Sequence, residues 1–104
     1  MEFIVERGPN KIEIKLRDQL TLDDMREFRT MIDDPQIRQN QTQIFNLENL
    51  EHIDSSGMGL LIQANKRSQA QGRRTELCLP PDSPVYRILS LVQFEQFIPY
   101  ADQT

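Results

Sequence analysis

Between residues 54 and 59 the chain reads Asp54-Ser55-Ser56-Gly57-Met58-Gly59, two adjacent hydroxyls set between a carboxylate and a pair of glycines. Hydroxyls can accept a phosphoryl group. Asp54, Ser55 and Ser56 are also good helix N-cap residues, so a plain strand-to-helix junction would use some of them in any case. Capping does not account for the glycines, each of which costs a helix interior about 1 kcal/mol relative to alanine. Two of them flanking a helix start suggest that another group approaches the backbone closely there. A helix N-terminus offers unpaired N–H groups and the positive end of the helix dipole, which suits a phosphate. On chemistry alone Ser55 and Ser56 are not ranked, and Asp54 reads as a cap.

Other routes to chemistry are poorly supplied. His52 is the single histidine and reads as a turn residue, so a metal site built on two imidazoles is not expected. There is no Gly-x-Ser-x-Gly elbow and no phosphate loop ending in Gly-Lys-Ser/Thr, and Gly57-Met58-Gly59 lacks the third glycine of a dinucleotide fingerprint. Asp23, Asp24, Asp33 and Asp34 fall at expected helix ends, where carboxylates usually cap or face solvent. Lys66, Arg67, Arg73 and Arg74 gather near the end of the helix that follows the serines, where cations complement the dipole. The chain is therefore expected to be no enzyme, with no catalytic residue, metal or cofactor.

The elements that must position the serines follow from periodicity. Lys11 to Leu16 alternates polar and apolar residues as a half-buried strand does, and Gly8-Pro9-Asn10 is turn chemistry that pairs it with Glu2 to Glu6 in a hairpin. Thr21-Leu22-Asp23-Asp24 has the form of a capping box, and Leu22, Met25, Phe28 and Ile32 repeat at helical spacing on an expected buried face. Pro35 ends that helix, Gln36 to Gln41 reads as a loop, and Thr42 to Leu47 as a strand. Glu48 to Ser55 reads as a turn. The second helix carries Met58, Leu61 and Ile62 and ends near Gly72. Thr75 to Leu79 is a strand whose lone Cys78 is expected in the core as an inert thiol. Ser83-Pro84 supplies an N-cap and a first-turn proline for a third helix with Val85, Ile88, Leu89 and Val92. Phe97 to Tyr100 is a last edge strand. The order β-β-α-β-α-β-α-β predicts an α/β fold, a mixed, mostly parallel sheet of about five strands with three main helices.

A length of 104 residues suits one domain, 1–104, with one core. A net charge of −4 gives no basic surface for nucleic acid. No stretch approaches the roughly 20 apolar residues of a membrane span, and Met1 to Arg7 lacks the regions of a signal peptide, so direct membrane insertion is not expected and a cytoplasmic location is.

The run Asn46-Leu47-Glu48-Asn49-Leu50-Glu51-His52-Ile53-Asp54-Ser55-Ser56-Gly57-Met58-Gly59-Leu60-Leu61 resembles the signature of STAS domains in the form found in anti-sigma factor antagonists. Ser83-Pro84-Val85-Tyr86-Arg87-Ile88-Leu89, followed by Phe94, resembles the family's last helix and final strand. Where many members carry Gly-x-Leu/Phe-Asp, this chain has Leu16-Arg17-Asp18-Gln19-Leu20-Thr21, which bears on the shape of the partner surface. The resemblance implies the STAS fold over the whole chain and a bacterial partner-switching cycle that controls transcription. In it a serine protein kinase, often the anti-sigma factor itself, phosphorylates the serine after the motif aspartate. That position is Ser55, with Ser56 as the alternative. The unphosphorylated form binds the anti-sigma factor, and a PP2C-like phosphatase, free-standing or within a response regulator, restores it. Asp54, Ser56, Gly57, Met58 and Gly59 would then contact the partner or kinase. The family also implies an alternative, a subunit or regulator of a transporter or other signalling complex that involves no sigma factor.

Overall fold

The alternation of Ile12, Ile14 and Leu16 with Glu13 and Lys15 sends the first three side chains into the interior, where each is fully buried. These residues belong to β2 (Lys11–Leu20), and the hairpin turn before it places Asn10 at φ 65°. Before the turn, β1 (Glu2–Gly8) pairs antiparallel with β2, so Ile4 faces Lys15 and Glu6 faces Glu13. β3 (Thr42–Ile53) lies parallel to β2 on its other side, and β4 (Arg74–Cys78) parallel to β3. In the computed structural model, which describes residues 1–101, the sheet has four strands in the order β1-β2-β3-β4. The fold is α/β with a mixed, mostly parallel sheet, as the periodicity predicts.

Among the described residues four α-helices accompany the sheet: α1 (Met25–Ile32), the single turn α2 (Pro35–Arg38), α3 (Ser55–Ala70) and α4 (Tyr86–Leu91). Phe28 and Ile32 of α1, Leu60, Leu61 and Ala64 of α3 and Leu89 of α4 join Phe45, Leu47 and Leu77 in one core. Phe28 and Phe45 meet with ring centroids 5.8 Å apart, within the range favoured by aromatic pairs. Among the described residues no helix is long and apolar enough to cross a membrane.

Several expectations give way to the tertiary structure. The last apolar segment forms no fifth strand among the described residues. A 3-10 turn at Phe94–Gln96 delivers the chain to a single parallel bridge between Tyr100 and Leu77, closed by Leu77 N–H to Pro99 O at 2.9 Å and Ala101 N–H to Leu77 O at 2.7 Å. Pro99 has no N–H to extend the ladder. The turn expected over Glu48–Ser55 is strand as far as Ile53. Register shifts in its pairing with β2 insert extra residues into β3, so its inward side chains become Leu47, Leu50 and Ile53, a spacing of three that alternation does not detect. The expected loop after Pro35 contains α2, because Ile37 is buried and Asp34 caps the turn through Gln36 N–H at 2.9 Å. Ser83 is not a side-chain cap. Its hydroxyl is buried without a partner, the turn is closed by Tyr86 N–H to Ser83 O at 3.0 Å, and α4 starts only at Tyr86 because Val85 turns into the core.

Cys78 is half-buried rather than in the core. Leu77 and Leu79 point inward, and the period of two sends Cys78 to the sheet face that carries Glu13 and Lys15. Burial, with Glu13 and Glu48 nearby, raises its thiol above the ordinary range, so it stays protonated and a poor nucleophile near neutral pH.

Candidate functional site

The serines stand where β3 ends and α3 begins. Asp54 occupies the N-cap with extended backbone, φ −112° and ψ −178°, and its Oδ1 accepts from Gly57 N–H at 2.7 Å. Its Oδ2 accepts from Leu22 N–H at 3.2 Å. One carboxylate thus closes the first turn of α3 and ties it to the segment between β2 and α1. Met58 N–H bonds Asp54 O at 3.0 Å, the first regular bond of the helix. Ser55 is the first residue of α3 and is exposed, whereas Ser56 is half-buried. Because both precede the first residue whose N–H can reach back along the helix, their N–H groups point out of its end.

The two glycines serve different ends. Gly57 is buried, and a Cβ there would lie 2.0 Å from Leu20 O, 2.8 Å from Leu20 C and 3.0 Å from Ile53 Cγ1. Its missing side chain lets α3 start hard against the end of β2, so the close approach comes from inside the fold. Around Gly59 no atom beyond the adjoining backbone of its own helix lies within 4 Å of such a Cβ. That side of the first turn is open to an approaching molecule. Met58 is half-buried and packs against the core from the same turn.

The segment beside Asp54 is built to hold still. Asp24 accepts from Thr21 N–H at 2.8 Å, the return half of the capping box, and pairs with the Met1 ammonium at 2.8 Å. Burial alone would raise the Asp24 carboxyl, but the ammonium and the Thr21 N–H outweigh it and hold it below the usual carboxylate range. Leu22, placed by helical spacing on the buried face, is instead 59% exposed, since the chain runs as a 3-10 turn over Leu22–Asp24 before α1 begins. Leu22 and Met25 edge a shallow concavity that also includes Arg26 and Arg29. Sequence spacing could not single out Leu22 as a surface neighbour of the serines, because the contact that places it spans 32 residues.

The remaining sequence candidates are scattered. His52 lies exposed in β3, paired with Gln19, and is part of no turn. Arg67 pairs with Asp33 at 2.5 Å and Arg74 with Glu76 at 3.0 Å, while Arg73 holds backbone carbonyls at the far end of the sheet. Among the described residues no group of three or more His, Cys, Asp or Glu is placed to hold a metal ion.

Replacing Asp54 by alanine should lower unfolding free energy by about 1–2 kcal/mol, the usual range for a lost N-cap. The upper end is expected, since Leu22 N–H loses its acceptor as well. Urea denaturation of wild type and Asp54→Ala measures it. A loss below about 0.5 kcal/mol, the low end of that range, would mean that the carboxylate does not brace the junction.

The STAS domain model matches residues 4–104 of this chain. Among solved structures, the unphosphorylated form of the anti-sigma factor antagonist SpoIIAA is 24% identical with a TM-score of 0.74, over 98% of this chain and 90% of that one. The phosphorylated form of the Bacillus cell fate determinant SpoIIAA is also 24% identical, with a TM-score of 0.60 over 98% and 93%. A sulfate transporter family protein from Wolinella succinogenes is 15% identical, with a TM-score of 0.67 over 88% and 74%. At these identities the likeness establishes the fold.

Proposed function

Since the chain belongs to the STAS domain family, we propose that it is a protein-binding switch of the anti-sigma factor antagonist type, controlled by phosphorylation of Ser55. The observation that carries this reading is the exposed Ser55 at the first position of α3, on a junction braced by Asp54 and left open at Gly59. A kinase needs a reachable hydroxyl, and a partner needs a fixed surface around it. Ser56, half-buried, is the poorer acceptor. The solved structures of SpoIIAA in both unphosphorylated and phosphorylated forms support a cycle of this kind on the same fold.

In this reading the unphosphorylated protein binds an anti-sigma factor that is also a serine kinase, and release follows phosphorylation. A PP2C-like phosphatase resets the switch. Asp54 acts chiefly through the shape it gives the junction, while Met58, Gly59 and Leu22 form the surface around the hydroxyl. The chain works as a binding protein rather than an enzyme, in the cytoplasm of a bacterium.

The test is affinity capture from native cells with wild-type and Ser55→Ala protein as bait, with phosphopeptide mapping of the recovered wild type. The expected result is a kinase partner retained by Ser55→Ala and phosphate on Ser55 in the wild type. Phosphate on Ser56, or on no serine, overturns the assignment. Recovery of a transporter ATPase in place of a kinase or phosphatase would move the chain to the transporter branch of the family.

A further inference from the structure

At the end of β3 remote from Ser55, a concavity of about 550 Å³ opens between α2 and the turn that follows α3. Two guanidinium groups, Arg38 and Arg73, line it together with the carboxamides of Gln39, Asn40, Gln41 and Gln71, and no carboxylate does. This composition stands out on a chain whose net charge is −4. Among the described residues the ion pairs nearest in sequence engage other cations, Arg67 with Asp33 and Arg74 with Glu76, and neither Arg38 nor Arg73 takes part in one.

Arg73 is held rigidly. Its Nε donates to Asn40 O at 2.5 Å, Nη2 to Ile37 O at 2.8 Å and to Gln43 Oε1 at 3.4 Å, and Nη1 to Gln71 Oε1 at 3.2 Å. Every acceptor is neutral, so the bonds fix the plane of the group without cancelling its charge. Burial, with the repulsion of Arg38, lowers its proton affinity, which agrees with a cation that lacks a counter-charge. The C-terminal end of α3 contributes a partial charge of about −0.5, against two positive charges. A net positive field is left in a concave site lined by amide donors.

We propose that this concavity binds a small phosphate-bearing anion, an inorganic phosphate, a diphosphate or a phosphate monoester. Arg73 supplies a preorganised positive charge and Arg38, exposed on α2, closes on the oxyanion as a fork. Guanidinium geometry matches two phosphate oxygens at once, and a donor already held in place loses little entropy on binding. Nucleic acid is a poor fit, since polyanion binding draws on many phosphate contacts and this surface offers two cations in one hollow. The site is separate from the Ser55 surface and does not depend on its role.

The test is a titration of the isotope-labelled protein with inorganic phosphate, diphosphate and glycerol 3-phosphate, followed by amide and arginine Nε resonances, with chloride at matched ionic strength as control. Saturable shifts are expected at residues 38–41 and 71–73, with a dissociation constant of about 1 mM or tighter for the best anion. The order of the three affinities identifies whether free phosphate or an ester is the better ligand. Arg38→Gln should weaken binding at least about 10-fold, the loss of one charge-assisted contact, and leave the rest of the spectrum in place. Arg38→Lys should restore part of it. Shifts that rise linearly, that chloride reproduces, or that Arg38→Gln leaves unchanged overturn the proposal, and none of these readings requires an Arg73 variant to fold.

Discussion

Gly57→Ala should lower the unfolding free energy by about 3 kcal/mol or more, while Gly59→Ala, two residues along the same helix, should leave it unchanged or raise it. The first change places a methyl carbon 2.0 Å from Leu20 O and 2.8 Å from Leu20 C, and the obstacle is backbone at the end of β2. No rotamer relieves it, so either α3 or β2 must move, which places the loss at the upper end of overpacking costs or beyond. Movement of α3 would also strain the bonds from Gly57 and Leu22 N–H to Asp54. Alanine's helix propensity returns less than about 1 kcal/mol near a helix end. At Gly59 the new methyl meets nothing beyond the adjoining backbone of its own helix within 4 Å, so only that propensity gain remains. For a domain of this size a loss of about 3 kcal/mol corresponds to a drop in Tm of roughly 12 °C or more. Urea and thermal denaturation of both variants measure the contrast. A Gly57→Ala protein as stable as wild type would show that the junction is not packed as described.

Phosphorylation of Ser55 should reduce partner affinity at least about 100-fold and shift Tm by no more than a few degrees. A phosphoserine carries about −1.5 to −2 charges near neutral pH. On the stability side, it meets the outward N–H groups of Ser55 and Ser56 and the positive end of a 16-residue helix, which favour it. The Asp54 side chain, one residue away, opposes it, but its two oxygens are already committed to Gly57 and Leu22 N–H. The two effects are of similar size and act on an exposed group, so the fold is little affected. At the interface nothing compensates. A partner shaped to a neutral hydroxyl must desolvate a dianion and accommodate its bulk, at a cost of several kcal/mol, and about 2.7 kcal/mol already amounts to 100-fold. Ser55→Asp should reproduce only part of the loss, since it brings one charge and fewer acceptor oxygens, and Ser55→Ala should stay in the binding form. Paired measurements of melting and partner affinity on the four species decide it. A large fall in Tm, or unchanged affinity for the captured partner, would rule out a switch that acts at the surface.

How far the sequence alone reaches is clear from where it succeeded and where it stopped. The hairpin, the helices over α1, α3 and α4, the parallel strands and the junction carrying Asp54 and Ser55 all rest on local signals: alternation, helical spacing, a capping box and turn residues. Such signals act within about one or two turns of helix or a few residues of strand, so they survive without knowledge of the fold. The motif itself was legible for the same reason, because its residues are contiguous. Their individual tasks were not.

Tertiary structure decided whatever depends on partners far away in the chain. Gly57 is glycine because of Leu20, 37 residues earlier in the chain, and Asp54 braces the junction because Leu22 N–H arrives beside it. The inward spacing of Leu47, Leu50 and Ile53 follows from the register that β2 imposes, so a true strand lacked the alternation of one. Cys78 reached the outer face of the sheet because Leu77 and Leu79 on either side of it take the core-facing positions, and the period of two turns it the other way. The last segment kept one bridge instead of a strand because a 3-10 turn and Pro99 leave no ladder for it to join. In each case the free energy belongs to a contact between segments, and a window along the chain contains only one of the two.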